Sequence, residues 1–71
     1  MSAQQDPAER IRTLLLRGDN VLKKSGDRKR LERALEAFEE AGELAADERV
    51  DARVRDLVAR RIESVRRLLE G

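Results

Sequence analysis

The side chains that most often perform chemistry are scarce in this sequence. It contains no cysteine, histidine, tyrosine or tryptophan, and its three serines, Ser2, Ser25 and Ser64, stand in no nucleophile motif. Without imidazole or thiolate, the usual zinc sites and nucleophile–base pairs cannot be built. The glycines form no phosphate-binding loop. The sequence therefore predicts a protein that is not an enzyme and needs no cofactor.

A group of glutamates is the nearest approach to a metal-binding set. Its members are Glu32, Glu36, Glu39, Glu40 and Glu43. At 100° per residue they fall within about 100° of one helix face. The set matches di-iron bundles in residue type, but the Glu-x-x-His pairs of such bundles are missing. We interpret it as a solvated acidic face and expect no metal.

A basic cluster surrounds Gly26. It comprises Lys23, Lys24, Arg28, Lys29 and Arg30. These cations could contact phosphate or an acidic peptide, or could be a solvated loop beside a helix C-terminus. The only aromatic residue, Phe38, is expected in the core, and the net charge is +1. Because base stacking is then unavailable, nucleic-acid binding is the least favoured hypothesis.

Two features near the C-terminus could serve a protein partner. A ladder of charges begins with two arginines and then alternates in sign: Arg49, Arg53, Asp56, Arg60, Glu63, Arg67 and Glu70. It could be a solvated face with ion pairs of about 0.3–0.5 kcal/mol each, or a docking face. Arg61 falls inside an apolar arc, so it must reach solvent, pair with a carboxylate of a neighbouring helix, or meet a ligand.

The elements that position these side chains are predicted to be helices. Leu, Ala, Glu and Arg dominate, and there are only one proline and four glycines. Apolar spacings of three and four predict helices at about 7–25, 28–46 and 48–70, after a disordered N-terminus at 1–6. We predict caps at Asp6, Asp27 and Asp47 and a stop at Gly26. The predicted fold is an all-α, antiparallel three-helix bundle in one domain, 1–71.

Each predicted helix has an apolar face for one shared core. The face of helix one excludes Leu16, which we expect to be exposed. The face of helix two is wide, which predicts a neighbour on each side. Helix three presents Val50, Val54, Leu57, Val58, Ile62, Val65, Leu68 and Leu69. A continuous helix from 27 to 70 is the alternative, but its two apolar stripes would lie roughly 160° apart and would need a dimer to cover them.

The sequence shows neither a long apolar run nor the features of a signal peptide, and this predicts where the protein is located. No apolar run exceeds Leu14–Leu16, and the first six residues have no basic or apolar segment of a signal peptide. We therefore expect a soluble, cytoplasmic protein without a membrane span.

The segment from Leu31 to Ala41 resembles the second helix of a tetratricopeptide repeat. Ala34, Phe38 and Ala41 match that repeat's Ala–aromatic–Ala spacing. With one further helix, the chain is similar to the MIT (microtubule-interacting and trafficking) domain, a three-helix module of about this length. The segment from Arg61 to Arg66 stands where that family has an Arg-x-Glu-x-Leu-like motif, with Val65 in place of Leu.

The resemblance implies a groove between helices two and three that takes an amphipathic helix of a protein or peptide partner. The implied lining is Ala37, Ala41, Leu44, Leu57, Arg61 and Val65. We thus expect a non-catalytic interaction or adaptor module. The alternative is a structural homodimer that closes its core through Leu16 or through a continuous second and third helix.

Overall fold

Three helices form the described part of the chain, as the sequence predicts. The computed structural model describes residues 6–24 and 27–71. α1 spans Pro7–Lys24, α2 spans Arg28–Ala45 and α3 spans Ala52–Glu70. The predicted stop at Gly26, the predicted helical residue at 25 and the predicted disorder of residues 1–5 lie outside the described residues.

Aspartates stand before all three helices. The Asp6 carboxylate accepts a hydrogen bond from the Ala8 amide at 3.4 Å, and that of Asp27 accepts from the Arg30 amide at 3.0 Å. Side-chain oxygens at these positions satisfy amides that have no partner within the helix. Both predicted caps are therefore confirmed.

The predicted cap of the third helix, Asp47, is wrong. α3 begins at Ala52, and its cap is Asp51, which accepts from the Arg53 amide at 2.8 Å. The Asp47 carboxylate instead accepts from the Arg49 amide at 2.9 Å and binds the Arg49 guanidinium. Local hydrogen bonds of this kind compete with helix initiation, so Asp47 stabilises a turn four residues earlier.

The turn at 46–50 separates α2 from α3, so the continuous-helix interpretation is wrong. Arg55 of α3 holds this turn: its guanidinium donates to the carbonyl oxygens of Ala45 at 2.6 Å and Val50 at 3.0 Å. The Val50 side chain is buried in the core. The last carbonyl of α2, that of Ala45, is thereby satisfied by an arginine of the next helix.

α2 lies between the other two helices. It packs extensively against α1 and α3, while α1 and α3 contact each other little. The Cα atoms extend over 42 × 25 × 14 Å, which is closer to a layer than to a compact cylinder. The core consists of Ile11, Leu14, Leu15, Leu31, Ala34, Ala37, Phe38, Ala41, Ala45, Val50, Val58 and Val65. The wide apolar face predicted for α2 and the core position of Phe38 are confirmed.

Candidate partner-binding face

The six residues implied as a groove do not line one open surface. They are Ala37, Ala41, Leu44, Leu57, Arg61 and Val65. Ala37, Ala41 and Val65 are buried in the core, and Leu44 is partly buried against it. Only Leu57 and Arg61 reach solvent to a substantial degree. A partner could touch the buried members only by displacing the helices that cover them.

Two leucines of α3 are exposed on the same side of the helix. Leu57 is 40% exposed and Leu68 is 59% exposed. They are eleven residues apart, which is about three helical turns or about 16 Å. α2 covers the neighbouring Val58 and Val65, but α1 contributes little to covering α3. The apolar arc of α3 is therefore wider than its single close neighbour can bury.

Arg61 lies between these leucines and α1. Its Nη2 donates to Asp19 Oδ2 at 3.1 Å, an ion pair that joins α3 to α1. Of the three alternatives that the sequence leaves open for Arg61, the structure shows the pairing with a carboxylate of a neighbouring helix. The Arg61 side chain remains 40% exposed, and its buried Nε has no hydrogen-bond partner among the described residues. A guanidinium has five donors, so one carboxylate contact leaves Arg61 able to take another.

A row of arginines runs along the opposite flank of the two leucines. Arg53, Arg60 and Arg67 are spaced by seven residues, or about 10 Å of helix rise per step. All three are exposed, and Arg60 forms no ion pair within the described part of the chain. A shallow depression lined by Arg53, Asp56, Leu57 and Arg60 marks the start of the row. We call the combined surface the leucine–arginine face: Leu57, Leu68, Arg53, Arg60, Arg61 and Arg67.

The acidic residues of α3 lie further from the leucines. At 100° per residue, the arginine row lies about 40–100° from the leucines, whereas Asp56, Glu63 and Glu70 lie about 100–160° away. One i,i+4 pair joins the two rows, Arg67 to Glu63 at 3.6 Å. The predicted ladder is therefore two parallel rows, and the arginines are the charges next to the apolar side chains.

Arg49, the first member of the predicted ladder, belongs to the turn and not to α3. Its guanidinium pairs with the Asp47 carboxylate at 2.8 Å. Hydrogen bonds from the Arg49 side chain and backbone lower the pKa of Asp47 from 3.8 to about 2. This pair stabilises the turn, and it stands apart from the leucine–arginine face.

A second surface surrounds Leu16, which is 58% exposed as predicted. A groove beside it is lined by Thr13, Leu16, Arg17, Asn20, Val21 and Arg30. It offers one strongly exposed leucine where the leucine–arginine face offers two. Arg30 in this groove pairs with Asp27 at 3.8 Å.

The predicted basic cluster is divided by local partners. Arg28 pairs with Glu32 at 3.5 Å and donates to the Leu69 carbonyl at 3.4 Å. Lys23 and Lys29 are exposed, and the side chain of Lys24 lies outside the described residues.

Ion pairs join the acidic face of α2 to the neighbouring helices, through Arg10–Glu40 at 3.1 Å and Arg66–Glu39 at 3.2 Å.

Two further classes of feature are missing from residues 6–24 and 27–71. No three acidic side chains there converge closely enough to hold a metal ion. None of the three helices, within those ranges, has the length and apolar character needed to cross a membrane.

Two surface features that define this face do not follow from the sequence patterns: the joint exposure of Leu57 and Leu68, and the separate arginine row. Apolar periodicity places Leu57 and Leu68 on the core stripe of helix three, and of the two only Leu57 belongs to the predicted groove. The predicted charge ladder does not separate the arginine row from the acidic row. The seven-residue spacing of Arg53, Arg60 and Arg67 is a signal that could have identified the row.

Comparison with known proteins does not place the chain in a family. No protein-family model matches the sequence, and no curated protein or solved structure shows significant similarity to it. The resemblance to MIT domains and tetratricopeptide repeats thus stays a prediction made from its residues.

Proposed function

We propose that this protein is a non-catalytic interaction module that binds an amphipathic helix of a partner protein on its leucine–arginine face. The observation that carries the proposal is the pair of exposed leucines, Leu57 and Leu68, aligned on one side of α3. Single exposed leucines are ordinary in folded proteins. Two on one line, bordered on both flanks by arginines, match the anchors that a docked helix needs.

The platform suits a helical guest because it is itself one uninterrupted helix. α3 has 19 residues and is capped at its start by Asp51 and at its end by Gly71. Two helices that pack together present apolar residues at spacings of three, four, seven and eleven. The spacing from Leu57 to Leu68 fits this series, and Arg61 stands between them to receive a carboxylate.

The resemblance to MIT domains supports the same kind of function through a different surface. The groove that it implies would need access to Ala41 and Val65, which the core buries. The proposed face retains Leu57 and Arg61 from that set. The antiparallel order of the helices is part of this proposal. The Arg10–Glu40 pair supports it for α1 and α2, and the hydrogen bond from Arg28 at the start of α2 to the Leu69 carbonyl near the end of α3 supports it for α2 and α3.

The test is direct binding of a helical peptide. The probe is a labelled peptide of about 20 residues, or about 30 Å as a helix, with leucines at positions i, i+4, i+7 and i+11. We expect wild-type protein to bind it and the L57A/L68A variant to bind at least tenfold more weakly. The matched control L16A removes the other exposed leucine and should bind like wild type. Circular dichroism confirms that the helices persist in both variants.

Equal binding by wild type and L57A/L68A would contradict the proposal, as would a loss confined to L16A.

A structural homodimer that closes through Leu16 is the second candidate. The exposure of Leu16 and the groove beside it favour this interface. Self-association predicts a melting temperature that rises with protein concentration and loses that dependence in L16A. A melting temperature independent of concentration would contradict this candidate.

A further inference from the structure

We infer that the partner helix is acidic, with carboxylates on both sides of its apolar stripe. The inference rests on the proposed function and adds the chemistry of the partner. The two leucines of the leucine–arginine face have Arg61 on one flank and the row of Arg53, Arg60 and Arg67 on the other. A guest helix seated over the leucines would place both of its polar flanks against guanidinium groups.

The arginines can exchange their present partners at little cost. The Arg67–Glu63 and Arg53–Asp51 pairs are long, at 3.6 and 4.0 Å, and both are exposed to solvent. Arg60 has no ion pair among the described residues. Exposed pairs contribute little because water and salt screen them. A guest carboxylate shielded by a docked helix would therefore compete well with Asp51 and Glu63.

A second copy of the chain is a poor occupant of this face. A symmetric contact would bring the same four arginines against each other, and like charges across an interface disfavour association. The acidic face of α2 would supply the opposite charge. Every exposed position of α2 is charged, however, so that face has no apolar side chain to cover Leu57 and Leu68.

A nucleic acid is disfavoured for a similar reason. A phosphate backbone could pair with the arginine row, but it would leave both leucines uncovered. Base stacking needs accessible aromatic side chains, and the only aromatic residue, Phe38, is fully buried. An acidic amphipathic helix satisfies both the arginines and the leucines.

The experiment compares two peptides that differ only in charge. Both carry the same four leucines, and one has glutamates on each flank where the other has glutamines. We expect wild-type protein to bind the glutamate peptide about tenfold more tightly at low salt, since several exposed ion pairs add to that amount. The preference should shrink as ionic strength rises.

Charge-reversal variants test whether the preference for the glutamate peptide depends on the arginine row. R60E/R67E should abolish or invert the preference for glutamate. R33E changes an exposed arginine on α2 that forms no ion pair within the described residues, so it should leave the preference nearly intact. The two proteins should have the same helicity, which circular dichroism checks.

Each result separates the inference from the proposed function. If both peptides bind equally well, helix binding stands and the acidic partner is overturned. If neither binds, both are overturned. If a single-stranded oligonucleotide binds as tightly as the glutamate peptide and L57A/L68A binds it unchanged, the face is a polyanion site and the acidic helix is again overturned.

Discussion

The two helix–helix interfaces of this protein differ in how closely a side chain of one helix packs against a glycine of the next. A methyl group on Gly18 of α1 would lie 2.6 Å from Cζ of Phe38 in α2. A methyl group on Gly42 of α2 would meet its nearest α3 atom, Ile62 Cδ1, at 3.5 Å, an ordinary contact. The first interface holds the fold tightly. The second is looser at this position, and it carries the helix whose outer face we propose as the docking face.

The largest expected effect comes from removing the ring at the tight interface. Phe38→Ala should lower the free energy of unfolding by about 3–5 kcal/mol, because it leaves a cavity where the ring filled the core. A domain of this size has a total stability of about 4–11 kcal/mol. Urea denaturation followed by circular dichroism measures the change. A loss below about 1 kcal/mol would show that the α1–α2 interface does not dominate stability.

The two glycines give the sharpest contrast. Gly18→Ala should destabilise, because overpacking against the buried Phe38 ring costs about 1–3 kcal/mol and exceeds the gain of about 0.5–1 kcal/mol in helix propensity. Gly42→Ala has room for its methyl group and should stabilise by about 0.5–1 kcal/mol. Denaturation midpoints of the two variants measure both changes. Stability changes of the same sign in Gly18→Ala and Gly42→Ala would contradict the proposed difference between the two interfaces.

Substitutions of Arg55 test how much the hydrogen bonds between α3 and the end of α2 contribute to stability. Arg55→Met should cost about 1–2 kcal/mol of stability, since the charged hydrogen bonds to the carbonyls of Ala45 and Val50 are lost. Lysine cannot span several carbonyls with one planar group, so Arg55→Lys should recover only part of the loss. Thermal melts of the three proteins compare them. A melt of Arg55→Met identical to wild type would mean that the turn holds without this clamp.

The exposed side of α3 should contribute little to stability. Leu68→Ala should change the free energy of unfolding by less than about 0.5 kcal/mol, because the side chain is largely solvated. Its effect should appear in peptide binding instead. A destabilisation comparable with that of Phe38→Ala would place Leu68 in the core and contradict the proposed face.

A substitution of Asp47 in the turn between α2 and α3 should have the smallest effect on stability, and that effect should depend on pH. The pKa of Asp47 is lowered from 3.8 to about 2 by its hydrogen bonds with Arg49. Because the folded value is below the unfolded one, the carboxylate stabilises the fold above about pH 4, and this contribution disappears as the pH falls toward 2. Asp47→Asn should therefore be less stable than wild type at neutral pH. The difference should narrow between pH 4 and 2, and a constant difference would contradict this assignment.

Local signals in the sequence predict most of the fold. Apolar periodicity and the aspartates at positions 6 and 27 locate the first two helices, and the broad apolar face of the second predicts its central place. The predicted start of α3 is four residues too early, because Asp47 and Asp51 are both acceptable caps. The choice between them depends on hydrogen bonds of Arg49 and Arg55 that form only in the folded turn.

The candidate site was less predictable than the fold. A helical wheel cannot distinguish an apolar residue that is covered from one that is left exposed, because this depends on how closely neighbouring helices approach. Leu57 and Val58 are adjacent in sequence, yet Val58 is buried and Leu57 is exposed. The same limit explains why Ala41 and Val65 were expected in an accessible groove.

Mapping where a bound helix contacts the protein is the best single test of whether the leucine–arginine face is the docking site. We would record two-dimensional ¹H–¹⁵N spectra of labelled protein during titration with the glutamate peptide. We expect the shift changes to concentrate on α3 at residues 53–68 and on the side-chain Nε–H of Arg61, while Leu16 and its neighbours on α1 stay unchanged. Shift changes centred on the Leu16 groove, or none at saturating peptide, would contradict it.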